Sequence, residues 1–275
     1  MIIYSNNTFI ADETAVSTVY NRAFQYGDGV FETMIYKNNR ILFFEDHMMR
    51  LRKGMASFEL RNDICMNDDA VIAIIQELQT KNNLSDSLRI KIILHRKEGG
   101  LYAPSVNEGI VTILVADYIP SGIHTKDYIV FSDDVRNYFY KASAIKTLSS
   151  GKYVLAGLEM KRRNAQDIII TDIDGNLSEC LQSNLFWIRN NEIYTPGIET
   201  GCIEGITRKQ IKRYCEEHGI RFHASFFPLV ELEKAEIVFS GNVAGLIAFK
   251  KIEAVSFNTE HPLLNSLRIY LSMSI

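Results

Sequence analysis

Two stretches in the first half of the chain space their apolar residues like an amphipathic helix. From Asp68 to about Lys81, apolar side chains recur three to four positions apart, at Val71, Ile72, Ile75 and Leu78. A second helical pattern runs from about Glu45 to Phe58. We therefore predict two helices, one after the other, in this half.

Short apolar runs bounded by turn residues predict strands in the same half. ETMIY and ILFF are joined by Lys-Asn-Asn-Arg, a pattern typical of a β-hairpin. After the second helix, two longer runs predict strands, SLRIKIILHR and GIVTILVADY. The first half is therefore expected to be a small unit of strands and helices.

The second half alternates strands with helical segments. The predicted helices begin near Gly151, Ile206 and Leu229, and the predicted strands are YIVFS, DIIITD, NLFWIR, EIYTP and AEIVFS. The turns Asp174-Gly175 and Asn190-Asn191 favour hairpins, so the sheet is not expected to be purely parallel. The fold class is α/β with mixed, α+β-type sheets.

A linker separates the two halves. Pro120, Ser121 and Gly122 lie between Tyr118 and Ile123, and residues of this kind interrupt regular structure. We predict two domains, residues 1–119 and residues 123–275.

Charge and composition exclude several classes of function. The net charge is −3 without a long run of one sign, which argues against nucleic acid as a partner. No apolar run approaches the length of a membrane span, and the amino terminus lacks the pattern of a secretory signal. The four cysteines lack CxxC spacing, so no metal site is expected. We expect a soluble, cytoplasmic protein.

Two glycine-containing segments are candidates for binding a ligand. In YGDGVFET, Gly27 and Gly29 flank Asp28 ahead of a strand, which allows either a close approach to a ligand or simply a tight turn. In GITRKQ, a helix begins next to Thr207, and the free N–H groups of a helix start suit an anion such as phosphate. The alternative is an ordinary helix start with Thr207 near its cap.

Two charged residues are candidates for catalysis. Lys146 lies among small and apolar residues in ASAIKTLSS, where lost solvation makes an amine nucleophilic, although most lysines lie on the surface. Glu179 lies between a turn and an apolar strand in LSECLQSNLFW. Its carboxylate either ends a strand in solvent or pairs with a buried cation.

In this order, these segments resemble the class IV family of pyridoxal-phosphate enzymes. The family includes branched-chain and D-amino acid aminotransferases and 4-amino-4-deoxychorismate lyases. The matching segments lie between about residues 3 and 250; they are YGDGVFET, HMMRL, IKTL before a helix with Glu159, DGNLSECLQSNLFW, YTP, EGITR and AEIVFSGNVAG. The resemblance implies fold type IV, with a small amino-terminal domain, a larger carboxy-terminal domain and the cofactor between them. It also implies a homodimer in which a partner loop helps to close the site.

The resemblance implies a role for each matching residue. Lys146 would form the Schiff base with pyridoxal 5′-phosphate and move protons at the substrate Cα. Glu179 would face the pyridine nitrogen and keep it protonated. The phosphate would be bound by Arg50 and by the start of the helix at Ile206 and Thr207. Asn242 would be a further phosphate contact, and Ser183, with Asn184, would shape the wall beside Glu179.

Three details favour the lyase, which releases pyruvate and 4-aminobenzoate and serves folate biosynthesis. HRKEGGLYAP resembles the lyases' glycine-rich stretch and places Tyr102 near the substrate. Thr33 stands where branched-chain enzymes typically have glycine, and ECLQSNLFW resembles the lyase form of that segment. Lys97 departs from the glycine that lyases commonly have there, which puts the loop conformation in question.

Other interpretations remain open from the sequence. A class IV aminotransferase acting on branched-chain or D-amino acids would use the same cofactor machinery, and Arg96 or Lys97 could then bind a substrate carboxylate. An inactive class IV scaffold that only binds is disfavoured by the joint presence of Lys146, Glu179 and Arg50. A nucleotide-binding module or a hydrolase lacks its expected motif. In each active form, the substrate is a small amino compound.

Overall fold

The computed structural model describes residues 1–14 and 18–273. The helices within this part are α1 Arg22–Tyr26, α2 Phe44–Ser57, α3 Asp63–Met66, α4 Asp68–Lys81, α5 Gly151–Arg162, α6 Ile206–Glu217 and α7 Pro262–Met273. Short 3₁₀ helices occupy Asp12–Thr14, Ile198–Thr200 and Leu229–Lys234.

The strands of the first half are β1 Ile2–Ser5, β2 Thr8–Ala11, β3 Gly29–Lys37, β4 Arg40–Ile41, β5 Ser87–Arg96 and β6 Gly109–Asp117. Those of the second half are β7 Thr125–Lys126, β8 Ile129–Asn137, β9 Asp167–Asp172, β10 Leu177–Cys180, β11 Asn184–Arg189, β12 Glu192–Pro196, β13 Phe222–Ser225, β14 Ile237–Asn242, β15 Gly245–Phe249, β16 Lys251–Ile252 and β17 Val255–Ser256. The expected mixture of α and β structure is confirmed.

The first compact unit contains the described residues of Met1–Ile119 together with Ile145–Ser150. Its six-stranded sheet has the order β2-β1-β6-β5-β3-β4, and every neighbouring pair is antiparallel. Along β5, Leu88, Ile90, Ile92 and Leu94 are fully buried and alternate with more exposed residues. Since side chains of a strand alternate between faces, one face of the sheet forms the core with α2 and α4.

The second unit contains Pro120–Ala144 and the described residues from Gly151 onward. Its main sheet has the strand order β17-β16-β8-β9-β10-β11-β14-β15-β7, and β12 and β13 extend from β11. Parallel pairs such as β8 with β9 occur beside antiparallel hairpins at Asp174-Gly175 and Asn190-Asn191, as the turn residues predict. Helix α5 packs against β8 and β9, whereas α6 and α7 cover β11, β14 and β15.

Lys146 belongs to a segment that packs with the first unit, whereas the sequence predicted two continuous domains. The backbone causes this, because the Phe31 N–H donates to the carbonyl of Lys146 (2.9 Å) and the Leu148 N–H donates to the carbonyl of Gly29 (2.9 Å). Residues 145–150 therefore line the end of β3.

Most predicted elements agree with the structure, and two differ. ILFF is not a strand beyond Ile41, because Phe43 adopts a left-handed conformation (φ 52°) and α2 begins at Phe44. The helix predicted near Leu229 is a 3₁₀ helix of six residues. Helix α7, at the end of the described chain, was not predicted.

Candidate active site

Lys146 lies beside the ring of Phe31 in the first unit. Its Nζ is 4.8 Å from the ring centroid, a distance typical of a cation–π contact. Gly29 is needed at the end of β3, since a Cβ there would lie only 2.4 Å from the carbonyl oxygen of Leu94 on β5 and 2.7 Å from Leu148 Cδ1. Gly29 thus serves a close approach of backbones, which explains one glycine of the YGDG motif.

A second amine, from Lys91, lies by the same ring. The Lys91 Nζ is 5.3 Å from the Phe31 centroid, and Lys91 pairs directly with Thr33 across the sheet. Residues two apart on a strand share a face, and so do directly paired residues of neighbouring strands. Phe31, Thr33 and Lys91 therefore occupy one face of the sheet, together with the amine of Lys146. Lys91 was not predicted as a site residue, although its position between the apolar residues Ile90 and Ile92 of an alternating strand is a usable signal.

Arg50 lies on the opposite face of β3, bound to a buried carboxylate. Its Nε donates to Glu32 Oε1 (2.6 Å) and its Nη2 donates to Glu32 Oε2 (2.7 Å), a bidentate pair. His47 Nδ1 lies 2.8 Å from Glu32 Oε2. Helix α2 carries both His47 and Arg50 three residues apart, so both side chains face β3.

The protonation of Glu32 depends on its burial and on the neighbouring Arg50. Burial alone would raise the pKa of Glu32, but the charge of Arg50 and the hydrogen bonds from Arg50 and His47 lower it to about 2. The Nε2 atom of His47 is buried without a hydrogen-bond partner among the described residues. Glu32 therefore orients the cation that the resemblance assigns to the phosphate. Neither Glu32 nor His47 was assigned a role from the sequence.

Asp28 joins two buried arginines. Its Oδ2 accepts from Arg22 Nε (2.8 Å) and from Arg96 Nε (2.9 Å). Arg22 Nη1 also donates to the carbonyls of Gly99, Gly100 and Leu101, and Arg96 Nη1 donates to the Val106 carbonyl and the Asn107 side chain. The two guanidinium groups thus hold both ends of loop 97–107. Arg96 is a structural residue here.

Loop 97–107 carries Tyr102, which is 90% exposed within this chain and contacts Tyr26 (ring centroids 5.6 Å apart). The positive φ angles of the loop fall on Gly99 (129°) and Gly100 (74°). Lys97 is not among the described residues with positive φ. Its N–H donates to the backbone carbonyl of Glu108 (2.9 Å), which continues the pairing of β5 with β6. Lysine in place of the expected glycine therefore leaves the loop unstrained at that position.

We predict that Asp28→Asn destabilises the first unit by about 3 kcal/mol, because two buried guanidinium groups lose their shared counter-charge. Urea unfolding followed by circular dichroism measures the loss, and hydrogen exchange should show faster opening of loop 97–107. Asp127→Asn is the matched control, since Asp127 is exposed and lies 3.6 Å from Lys250. Equal stability of both variants would contradict the structural role of Asp28.

Glu179 is the centre of a buried network in the second unit. Its Oε1 accepts from Asn137 Nδ2 (2.9 Å) and from the Tyr153 hydroxyl (2.8 Å). Its Oε2 accepts from the Ile203 N–H (3.0 Å), and Lys152 Nζ lies 3.8 Å from Oε1. The carboxylate is therefore buried among donors and beside a cation. The carboxylate is thus not a solvent-exposed strand end, and the cation beside it, Lys152, is partly exposed and not buried.

Helix α6 begins at Ile206 with Gly205 as its N-cap, and no side chain caps it. Thr207 is thus the second residue of the helix, near the cap as the alternative interpretation held, but its side chain does not cap the helix. A Cβ on Gly205 would lie 2.0 Å from Asn184 Oδ1, so the helix start lies directly against Asn184. The uncapped N–H groups of Ile206 and Thr207 form a positive helix terminus suited to phosphate.

The remaining predicted residues surround these two features. Asn184 pairs with Glu179 across the sheet and donates to the carbonyl of Ile203 (2.7 Å), which helps to place the Ile203 N–H. Ser183 accepts from the Cys180 N–H through its carbonyl (2.9 Å). Asn242 donates to the Gln182 carbonyl (3.1 Å) and accepts from the Ala244 N–H (2.8 Å). Through these bonds, Asn242 stabilises the turn between β14 and β15.

The residues in place fit the chemistry of pyridoxal phosphate. Lys146 offers an amine, and the start of α6 offers backbone donors for a phosphate. Glu179 Oε2 accepts one hydrogen bond from the protein, and a carboxylate oxygen has capacity for two. Within residues 1–14 and 18–273 there is no cluster of three His, Cys, Asp or Glu that suggests a metal ion. In the same ranges, no helix is long and apolar enough to cross a bilayer.

Comparisons with known proteins give a consistent picture. The sequence model described as Amino-transferase class IV matches residues 29–252. An aminodeoxychorismate lyase of Bacillus subtilis is 24% identical over 268 residues, which cover 94% of this chain and 89% of that protein. A putative branched-chain-amino-acid aminotransferase of Methanocaldococcus jannaschii is 25% identical over 264 residues, covering 94% and 91%.

Among solved structures, the branched-chain amino acid aminotransferase of Escherichia coli superimposes with a TM-score of 0.87. The alignment covers 97% of this chain and 91% of that one, with 22% sequence identity. The expected fold type is therefore confirmed over nearly the whole chain.

Proposed function

Because this chain belongs to the aminotransferase class IV family, whose members are pyridoxal-phosphate-dependent enzymes, we propose that it is a 4-amino-4-deoxychorismate lyase. In this proposal the enzyme releases pyruvate and forms 4-aminobenzoate, a step of folate biosynthesis. It acts in the cytoplasm as a homodimer.

The observation that carries the proposal is the group of side chains on one face of β3 and β5. Thr33, the residue that distinguishes the lyases in this segment, shares that face with Phe31 and is paired with Lys91. A hydroxyl next to a cation suits a substrate that carries carboxylates, since the cation binds the carboxylate and the hydroxyl donates or accepts a hydrogen bond. The Bacillus subtilis lyase adds support.

The roles of the cofactor-binding residues follow from the motifs they match. When bound, pyridoxal phosphate supplies an aldehyde for a lysine and a ring that withdraws electrons from the substrate carbon. Lys146 would hold the cofactor covalently, and Glu179 would bind its ring nitrogen. Arg50, Ile206 and Thr207 bind the phosphate, with Asn242 and Ser183 at the periphery.

In the chemical step, the protein moves protons and positions the substrate. The amine of Lys146 would take the proton from the carbon that carries the substrate amino group. Loss of that proton allows the C–O bond to the enolpyruvyl group to break and the ring to become aromatic, and the departing enol takes up a proton to become pyruvate. Thr33 contacts the substrate. Tyr102 is 90% exposed within its own chain. In the proposed homodimer, its loop lies against the second copy of the chain, and Tyr102 acts on the substrate from there.

We predict that the purified, cofactor-loaded protein releases pyruvate from 4-amino-4-deoxychorismate without any added keto acid. Pyruvate is measured with a coupled lactate dehydrogenase assay, and 4-aminobenzoate by its fluorescence, in equal amounts. Thr33→Gly should lose at least about tenfold in kcat/KM while keeping the yellow colour, because the hydroxyl is lost and the cofactor contacts remain. Thr33→Ser is the matched control, since it retains the hydroxyl.

Absence of pyruvate from a yellow protein would overturn the lyase assignment and leave the family and cofactor in place. The alternative is an aminotransferase acting on branched-chain or D-amino acids, which the Methanocaldococcus jannaschii relative supports. In that case, individual amino acids should bleach the yellow colour, and a keto acid should restore it. Bleaching by neither class of amino acid, without pyruvate, would indicate a binding scaffold.

A further inference from the structure

The two oxygens of Glu179 have different surroundings. Oε1 accepts two hydrogen bonds, from Asn137 and from the Tyr153 hydroxyl, and it is the oxygen nearest to Lys152. Oε2 accepts one hydrogen bond, from the backbone of Ile203. A carboxylate oxygen has two lone pairs, so Oε1 is saturated by the protein whereas Oε2 is not.

Tyr153 is placed for this contact by the first turn of α5. Burial of its side chain, followed by the nearby negative charge of Glu179, raises the pKa of Tyr153 far above its usual range. The phenol therefore stays protonated and acts as a hydrogen-bond donor to Glu179. Lys152, the preceding residue, donates to Asn137 Oδ1 (2.6 Å), which orients the Asn137 amide so that its nitrogen faces Glu179.

An irregularity in β8 places Asn137. The pairing of β8 with β9 changes register between Phe131 and Arg136, and the carboxylate of Glu159 on α5 holds this bulge. Glu159 accepts from the Ser132 hydroxyl (2.7 Å) and from the Asp133 N–H (2.8 Å). Helix α5 therefore contributes twice to the Glu179 network, through Tyr153 directly and through the strand that carries Asn137.

The two buried thiols near Glu179 are neutral. Burial raises the pKa of Cys202 to about 12, and it raises the pKa of Cys180 well above its usual value. Lys152 is thus the charged neighbour of the carboxylate in the described contacts. The two thiols and the Tyr153 phenol therefore keep their protons near neutral pH.

We propose that Tyr153 is a positioning residue: its hydroxyl stabilises the anionic form of Glu179 and occupies Oε1, so that Oε2 accepts the hydrogen bond from the cofactor's ring nitrogen. This inference rests on the proposed role of Glu179 as the partner of that nitrogen. It is independent of the choice between lyase and aminotransferase, because the resting holoprotein suffices to test it.

The test is the pH titration of the yellow absorbance band in Tyr153→Phe holoprotein without substrate. Without the phenol donor, the anionic form of Glu179 is less stabilised. The ring nitrogen beside it is therefore deprotonated more easily. A positive ring nitrogen favours loss of the proton from the lysine–cofactor bond, to which it is conjugated. With less positive charge on the ring, the midpoint of the titration should rise by about one pH unit, since a hydrogen bond to a charged group corresponds to roughly that shift.

Tyr194→Phe is the matched control. Tyr194 also donates to a carboxylate, Glu192 (3.0 Å), in the same unit, but it does not contact Glu179 in the described structure. The midpoint of the absorbance titration in Tyr194→Phe should equal that of the wild type. A second variant, Asn137→Ala, removes the other side-chain donor to Oε1 and should shift the midpoint in the same direction.

The nitrogen-15 chemical shift of labelled cofactor gives an independent readout of the ring nitrogen. It should move toward the unprotonated value in Tyr153→Phe and remain unchanged in Tyr194→Phe. In a Glu179→Gln background, Tyr153→Phe should cause no further shift, because the residue acts through Glu179. An unchanged midpoint in folded, yellow Tyr153→Phe protein, or an equal shift in Tyr194→Phe, would overturn the proposal whatever the substrate proves to be.

Discussion

Lys146→Ala should yield a colourless protein without detectable turnover. The Lys146 amine is the group that matches the family's covalent attachment point, and alanine has no nucleophile with which to bind the cofactor aldehyde. The same amine is the proposed proton carrier at the substrate carbon, so the loss affects two steps. Both consequences are measured directly, by the absorbance spectrum of protein incubated with pyridoxal phosphate and by the pyruvate assay.

Lys81→Ala is the matched control for this variant. Lys81 Nζ also lies over a phenylalanine ring, 5.2 Å from the centroid of Phe9, but on α4 and next to Glu77. This variant should remain yellow and active. Lys146→Arg separates charge from nucleophilicity, because arginine keeps the cation and cannot form the covalent bond. A persistent yellow band in Lys146→Ala would show that another amine, with Lys91 the first candidate, carries the cofactor.

Glu32→Gln should destabilise the first unit by about 3 kcal/mol near neutral pH. Arg50 is buried and bound bidentately by Glu32, and removal of one partner leaves an uncompensated charge in the interior. The folded pKa of Glu32 is about 2, against an ordinary value of 4.5, and this difference corresponds to a similar free energy. Urea unfolding followed by circular dichroism measures the change.

The pH dependence of this effect has a definite sign. The pKa of Glu32 is lower in the folded state, so its contribution to stability is complete above about pH 4.5 and is lost as the pH falls toward 2. Wild-type stability should therefore fall more steeply across this interval than that of Glu32→Gln. The exposed pair Glu77–Lys81 supplies the control, because Glu77→Gln should leave stability and its pH dependence nearly unchanged. Parallel pH profiles for Glu32→Gln and wild type would refute the role of Glu32.

The local chain determined the regular elements. Strands β5, β9, β11 and β12 have the bounds that their apolar runs predict, and α4 begins and ends with its helical pattern. Such elements are encoded by side-chain periodicity within a few residues, which a sequence shows directly. The strand predicted for ILFF was wrong beyond Ile41 for a conformational reason. Phe43 adopts a left-handed φ, which an apolar run does not reveal.

The motifs also identified the family, and they supplied the candidate site residues. Seven segments in order were sufficient for the class IV family, and the structure then showed Lys146 beside Phe31, Glu179 in a buried donor network and an uncapped α6 at Ile206. These residues belong to contiguous segments, so their signals survive in the linear sequence.

The tertiary structure alone decided which partners these residues have. Glu32 meets Arg50 from 18 positions away, Arg96 meets Asp28 from 68, and Tyr153 meets Glu179 from 26. Lys146 packs with the first unit because residues 145–150 pair with the end of β3. Buried charges and donors acquire their properties from neighbours that are distant in the chain, and periodicity carries no information about those neighbours. The sequence therefore identified the chemistry, and the fold identified the side chains that tune it.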